Sequence, residues 1–302
     1  MITGSLMPRI LLLGAGGQLG MQLARRLAAE VELIAVTRAE LDFTDATALR
    51  AAIQQANPQI VINAAAYTAV DKAESEPEAA RLVNAIAPGV IAEELARTNS
   101  WLIHYSTDYV FDGSGTRPWM ETDPTGPLSV YGQTKLDGEL AIAAAGCRHV
   151  TLRTSWVYAA EGRNFLHTML RLGRERDLLK IVDDQIGAPT SAEAITEATQ
   201  IVLRQLAASG DDAGASGVYH LACAGETSWC GFARAIFSEF AGKQKAPEVV
   251  PIPTEAYPTP ARRPRNSRLN CTKFTAQFGF RMPHWEDALH EVAAELLSPE
   301  HK

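Results

Sequence analysis

The pentapeptide "YGQTK", residues 131–135, sets a phenol and an ammonium four positions apart. On a helix those positions share one face, so Tyr131 and Lys135 can address a single ligand. A tyrosine is a poor acid near neutral pH, because its ordinary pKa lies near ~10; a neighbouring cation favours the phenolate and brings it toward working range. General acid/base transfer of a proton at an oxygen is the chemistry this pair offers, and the lysine can also hold a ribose. With seven tyrosines in the chain, the spacing alone is equally the polar start of an ordinary amphipathic helix.

Upstream, "YSTDYVFDG" supplies Ser106, Thr107 and Asp108 as the chain leaves an apolar strand candidate, Trp101 to Ser106. Ligands bind outside the carboxyl ends of strands in open α/β sheets, and a hydroxyl there can hydrogen-bond the reacting oxygen. An ordinary turn or helix cap uses the same residue types. Nearer the start, "GAGGQLG" carries Gly14, Gly17 and Gly20 in the pattern G-x-x-G-x-x-G, with Gly16 as an alternative register. Such glycines permit a tight bend, let backbone amides approach a pyrophosphate and let the following helix pack closely, its positive dipole end facing the phosphates. A dinucleotide cofactor is the expectation. The second strand ends in "AVTRAELD". Thr37 and Arg38 stand where an acid for the ribose 2′-hydroxyl is usual, and Arg38 is able to pair with a 2′-phosphate. NADPH is therefore preferred, while Asp42 keeps NADH open.

These groups need a scaffold that brings strand ends together. "RILLLGAGGQLG" reads as a buried strand entering a turn and a helix. The alternation continues through Val31 to Val36, a helix from about Asp45 to Ala56, Ile60 to Ala64, and helical segments from about Glu78 to Thr98 with a new turn at Pro88. Apolar runs without polar alternation suit parallel strands covered on both faces. The fold class expected is α/β, a doubly wound parallel-sheet (Rossmann) domain over residues 7–155. Residues 156–302 form mainly a smaller, irregular substrate-binding part, with about 190–222 returning to the first domain. Helices are expected from Asn164 to Glu175 and from Ala192 to Ala208, with a strand at Val218 to Leu221. The proline-rich "VVPIPTEAYPTPARRPRN" excludes a continuous helix or central strand there. "MITGSL" before Met7 is read as an added extension and set aside.

The chain has 302 residues, 46% hydrophobic and 21% charged, with a formal charge of −7. Nothing general in that balance favours nucleic acid or anionic membrane. Cys147, Cys223, Cys230 and Cys271 show no C-x-x-C spacing and the seven histidines no H-x-x-x-H, so no metal site is expected. No apolar run approaches the ~20 residues that cross a bilayer, which makes the reducing cytoplasm the default compartment.

Together the glycine turn, hydroxyl loop and Tyr/Lys pair resemble the extended short-chain dehydrogenase/reductases, and within them the reductases of nucleotide-linked keto sugars. The resemblance runs from about Arg9 to near Leu297. It is carried most specifically by "NAAAYTAVDKAESEPE" and "IHYSTDYVFDG", with "PLSVYGQTKLDGE", "RTSWVYA", "DDQIGAPT" and "YPTPARRPRNSRLN" in support. It implies reduction of the 4-keto group of a dTDP-linked 6-deoxy sugar by NADPH or NADH. It further implies Tyr131 as proton donor, Lys135 as its partner and Thr107 as the assisting hydroxyl. Gly17, Gln18 and Leu19 match the pyrophosphate turn and Asp42 and Phe43 the adenine side. Ala64, Ala65, Ala66 and Tyr105 match further cofactor contacts, and Thr107, Asp108 and Trp156 match sugar-nucleotide contacts. Trp156 otherwise reads as a core aromatic. Thr37 replaces the family's acidic cofactor contact, which favours NADPH. A homodimer and Mg2+ follow from the resemblance alone.

Three rival readings remain. Sugar-nucleotide 4,6-dehydratases resemble a Thr-Asp-Glu arrangement, but Tyr109 stands in the Glu place, and epimerases lack the "SWVYA" block. The non-enzymatic regulatory subunit of methionine adenosyltransferase shares the fold and the Tyr/Lys pair; Trp156 and the full Thr107, Tyr131, Lys135 set favour a working reductase. Arg262, Arg263 and Arg265 offer guanidinium forks for a diphosphate, or form a solvated basic loop.

Overall fold

The structure is a computed structural model that describes residues 7–208 and 213–298. The extension proposed for residues 1–6 lies outside the described residues. The first strand, β1 (Arg9–Leu13), leads to α1 (Gln18–Leu27), β2 (Glu32–Val36), α2 (Ala46–Ala56) and β3 (Ile60–Asn63). Two short helices follow, α3 (Val70–Ala73) and α4 (Pro77–Arg81), then a π turn at Leu82–Ile86, α5 (Ala87–Thr98), β4 (Trp101–Thr107), α6 (Val130–Ala145) and β5 (Arg148–Thr154).

β1 shows why these runs are buried on both faces. Ile10 and Leu12 join one apolar core with Leu23 and Leu27 of α1, while Leu11 and Leu13 join another with Leu49 and Ile53 of α2. Successive side chains of a strand point to opposite faces, so a strand sandwiched between helices must be apolar at every position. β3 repeats the division, with Ile60 and Ile62 on the first face and Val61 on the second.

Beyond β5 come β6 (Val157–Tyr158), α7 (Phe165–Glu175), β7 (Leu178–Val182), β8 (Ile186–Gly187), β9 (Thr190–Ser191) and α8 (Ala192–Ala208). After them lie β10 (Gly217–His220), β11 (Thr227–Ser228), α9 (Trp229–Glu239), β12 (Glu248–Ile252), α10 (Thr272–Phe278) and α11 (Trp285–Leu297). The main sheet has the order β2-β1-β3-β4-β5-β10, every neighbouring pair parallel. This is a doubly wound, Rossmann-like arrangement. The chain reverses its direction of travel across the sheet between β1 and β3, and the crevice at that reversal, outside the strands' carboxyl ends, is where this architecture binds ligands. Residues 217–220 enter the sheet beside β5, and α8 packs on α1. β12 instead pairs with β7 in a separate two-stranded ribbon.

One detail departs from the expected elements. β4 runs to Thr107, so that hydroxyl is carried by the last strand residue rather than by a loop. Pro88 opens a new turn as expected: it stands in the first turn of α5, directly after α4 and the π turn. Ser129 caps α6, its hydroxyl accepting from Gly132 N–H at 3.2 Å, a contact worth about 1 kcal/mol. Tyr131 and Lys135 thereby begin a helix whose start is fixed.

Candidate active site

At the end of β1 the chain demands its own glycines at two places. A Cβ on Gly14, which has φ +84°, would lie 2.5 Å from the amide nitrogen of Ala65, and one on Gly20 would lie 2.0 Å from the carbonyl oxygen of Gly14. Gly17 is different: a Cβ there would meet nothing closer than 3.4 Å. No close contact within the chain demands a glycine there. α1 starts at this residue without a side-chain cap and without an acid in its first turn, so its free amides and positive dipole end are available to an anion. The cradle fits a dinucleotide pyrophosphate. Gln18 turns its side chain toward the C-terminal part, accepting from Asn164 Nδ2 at 2.8 Å, and Leu19 packs against the core.

At the end of β2, Thr37 donates from its backbone N–H and its hydroxyl to the same oxygen of Glu40, each at 2.8 Å. Those bonds hold the Glu40 carboxyl below its usual range. The sequence reading assigned no acid to this place; Glu40 supplies one from three residues later. Arg38 is exposed beside it. Asp42 accepts from Thr44 N–H and hydroxyl at 2.9 and 2.7 Å, and Phe43 is buried in the second core.

Ala64, Ala65 and Ala66 follow β3, with Ala65 pressed against Gly14. The peptide of Tyr67 is held on both sides by Asn84: Oδ1 accepts from Tyr67 N–H at 2.8 Å, and Nδ2 donates to Tyr67 O at 3.1 Å and to Thr134 Oγ1 at 3.2 Å. Asn84 stands on the π turn, the sort of local irregularity that recurs at functional sites. A Cβ on Gly138 would come within 2.1 Å of Asn84 O, so Gly138 is what lets α6 lie against that turn. Neither Asn84 nor Gly138 is visible in sequence as a site residue.

Thr107, Asp108, Tyr131 and Lys135 come together where β4 ends and α6 begins. Thr107 Oγ1 donates to Asp108 Oδ1 at 3.1 Å and accepts from Tyr109 N–H at 3.2 Å. Thr107 also draws the pKa of the Tyr131 phenol down, and the Tyr131 ring meets Tyr109 edge-to-face at 5.5 Å. Asp108 is buried, its carboxyl pushed up to about 6 by desolvation against hydrogen bonds from Ser267 and Thr107. Its Oδ2 has no hydrogen-bond partner, an acceptor suited to a sugar hydroxyl.

The sequence reading had Lys135 lowering the tyrosine pKa, and the structure corrects this. Burial pushes the Tyr131 phenol up to about 12, and Thr107 is the group that pulls it back. Lys135 is fully buried, its Nζ 2.6 Å from the carbonyl oxygen of Tyr105 and 3.3 Å from His104 Nε2. Desolvation brings its own pKa down to about 8. A phenol held protonated is suited to donating. The Tyr105 ring points the other way, into the core, where its hydroxyl meets Thr199 Oγ1 at 2.8 Å; toward Lys135 it presents its carbonyl.

Trp156 has a left-handed backbone, φ +49°, and among the described residues the two other non-glycine residues of positive φ are asparagines that end helices. A left-handed tryptophan costs of order 1 kcal/mol or more, and such strain gathers at ligand clamps. Its indole stacks on Trp229 at 3.7 Å, and Gly187 leaves the space it occupies. A cleft of about 450 Å³ lies under the proline-rich segment, lined in part by Gly113, Tyr257, Arg262, Arg263 and Arg265. Arg263 is bound to Asp71 at 2.7 Å, and Arg265 pairs with Glu255. Among the described residues no group of three or more His, Cys, Asp or Glu is placed to hold a metal, and no helix is long and apolar enough to cross a membrane.

A Rossmann sheet with an open pyrophosphate cradle and a Tyr-Lys-Thr cluster beside it defines an NAD(P)H-dependent oxidoreductase. The profile of the RmlD substrate binding domain family matches residues 8–298. A dTDP-4-dehydrorhamnose reductase of Burkholderia thailandensis is 48% identical over 96% of this chain and 99% of its own length. One of Escherichia coli K12 is 46% identical over 96% and 98%. A Bacillus anthracis dTDP-4-dehydrorhamnose reductase, crystallised in complex with NADP, superposes with a TM-score of 0.88 at 33% identity, covering 96% of this chain and 100% of that one. The chain belongs to this family, that of the dTDP-4-dehydrorhamnose reductases.

Proposed function

We propose that the protein reduces the 4-keto group of dTDP-4-dehydrorhamnose to give dTDP-L-rhamnose, drawing on NADPH in preference to NADH. The observation that carries this reading is the Tyr131 phenol, kept protonated by burial, with Thr107 at the end of β4 drawing its pKa back, in a chain of this family. The dihydronicotinamide, when bound, supplies hydride to the sugar carbon. Tyr131 gives its proton to the oxygen that becomes an alkoxide, while the Thr107 hydroxyl stabilises the charge developing there. Asp108 Oδ2 accepts from a sugar hydroxyl, and Trp156 forms a wall of the sugar pocket. Lys135 holds the nicotinamide ribose with the N–H that Tyr105 and His104 leave over.

Gly14, Gly17, Gln18, Leu19 and Gly20 form the pyrophosphate turn, with Thr37, Arg38, Asp42 and Phe43 toward the adenosine and Ala64, Ala65 and Ala66 along the cleft floor. Arg38 favours a 2′-phosphate and Glu40 opposes it, so the preference for NADPH is modest. Of the three arginines in the proline-rich segment, Arg262 carries no carboxylate partner among the described residues and is the one proposed for the substrate diphosphate. The division proposed is a dinucleotide part over 7–155 and a mainly substrate-binding part beyond it, working in the cytoplasm as a homodimer. Incubation with the dTDP-keto sugar tests the reading. Stoichiometric NADPH oxidation that Tyr131→Phe abolishes, with cofactor affinity kept, is the expected result. Cofactor-neutral conversion would point to an epimerase or dehydratase, and binding to a methionine adenosyltransferase without turnover would point to a regulatory subunit.

A further inference from the structure

Lys135 is 1% exposed, and the groups against its Nζ are the Tyr105 carbonyl and the His104 ring. His104 is itself fully buried, as is Asn63 on the adjacent strand at 2% exposure. Asn63 and His104 are in hydrogen-bond contact, Nδ2 to Nδ1, at 3.1 Å. The other end of the Asn63 amide settles who donates. Oδ1 of Asn63 accepts from the backbone N–H of Ala65 at 3.2 Å, and a backbone N–H can only donate. The amide therefore keeps its oxygen toward Ala65 and its NH2 toward His104, so Nδ1 accepts and the proton of the neutral imidazole sits on Nε2. That proton points at Lys135.

An ammonium in this place would set two donors face to face inside the protein. An amine removes the conflict. Its lone pair accepts from His104 Nε2–H, one N–H goes to the Tyr105 carbonyl, and one N–H is left for a ligand. We infer that His104, oriented by Asn63, is a positioning residue that favours Lys135 as an uncharged amine in the free protein, so that the ammonium forms when the anionic dinucleotide binds and draws Nζ off His104 Nε2–H toward the ribose. This deepens the proposed reading of Lys135 as the cofactor's ribose partner, and rests on it.

The charges around Lys135 agree in direction. Desolvation lowers Lys135 to about 8, and burial holds His104 well below its ordinary value. From α6 itself Glu139 favours the ammonium, but its carboxylate is taken up by Arg153 of β5 at 2.6 Å and by Ser106 of β4 at 2.5 Å. His149 of β5 adds a push against charge on His104. Tyr131 and Asp108 lie on the cleft side, and Asn63 on β3 is neutral. A bound dinucleotide brings negative charge, which raises the proton affinity of the amine.

Calorimetry of NADPH binding in buffers of different ionisation enthalpy reads this directly and needs no sugar. At about pH 9 the free amine predominates, and binding is expected to take up close to one proton per site, an uptake lost in Lys135→Met. In His104→Met the ammonium is present before the cofactor arrives, so the uptake shrinks at least about twofold while NADPH still binds. 15N-histidine spectra, with His104 assigned by its loss in His104→Gln, are expected to show a neutral Nε2–H ring that does not titrate. No proton uptake in the unaltered protein, or an Nδ1–H or imidazolium His104, overturns the inference. These outcomes are separate from keto-sugar turnover, whose absence would instead remove the proposed function.

Discussion

Glu139 and Arg153 form an ion pair 2.6 Å apart with side chains only 5% and 6% exposed. It joins α6 to β5 two turns beyond Tyr131, and Ser106 of β4 donates to the same carboxylate. The Arg153 guanidinium also lies over the Phe111 ring, 5.1 Å from its centroid. The helix that carries Tyr131 and Lys135 is thus fastened to two strands of the sheet by one buried carboxylate.

Glu139→Gln leaves the Arg153 charge buried without its counter-ion. Breaking a buried pair in this way costs about 3–5 kcal/mol, and the expected result is a large fall in the denaturant midpoint with loss of turnover. Replacing both partners by apolar residues of similar volume is expected to restore most of the midpoint. A stable single variant would show that the pair does not fasten the helix.

Glu40→Gln removes the negative charge that Thr37 holds at the end of β2. The NADPH/NADH ratio of kcat/KM is expected to rise about tenfold. Arg38→Ala is expected to move the same ratio the other way. An unchanged ratio in both variants would place the adenosine 2′ position elsewhere.

Gly138→Ala puts a methyl against Asn84 O. Overpacking of this kind costs about 1–3 kcal/mol, and because Asn84 also holds the Tyr67 peptide, the disturbance reaches the cleft floor at Ala64 to Ala66. A raised KM for NADPH together with a lowered Tm is expected, measured by steady-state kinetics and thermal unfolding.

Asp108 is raised by burial to about 6 from an ordinary 3.8. A folded-state pKa above the unfolded one means the folded protein holds the proton more tightly, so this contribution to stability is present below about pH 4 and is lost as pH rises through about 6. Asp108→Asn is expected to stabilise the fold at pH 8 by up to about 3 kcal/mol and to leave it unchanged near pH 4. The same variant is expected to raise the KM for the sugar nucleotide. Chemical unfolding at the two pH values checks the first statement, and an equal effect at both would locate the penalty elsewhere.

The strand, glycine turn and helix at residues 9–27 are legible in sequence because each is specified by near neighbours: an apolar run, a steric demand and a helical period. Tyr131 and Lys135 are legible for the same reason. The groups around them are not, because their partners lie far along the chain. Asn63, His104 and Lys135 meet only through the β3–β4 register and the placement of α6, and Glu139 meets Arg153 across two elements. No local pattern marks such residues. Glu40 escaped for a smaller reason: its side chain folds back to Thr37, so the carboxylate lies three residues before the residue that bears it in sequence. The end point of Lys135 is illegible too, because i,i+4 spacing fixes a shared face and says nothing of where a long side chain ends.

Gln18 has one further consequence. Its side chain accepts from Asn164 and fills the space left by Gly162, while Arg25 on the same helix binds Glu161 at 2.6 Å. Anything that seats itself on the first turn of α1 therefore also steadies residues 161–164, which lead into α7 and so toward the half of the molecule assigned to the sugar. The expected outcome is an ordered scheme, dinucleotide before nucleotide sugar with the oxidised dinucleotide leaving last, and product-inhibition kinetics check it.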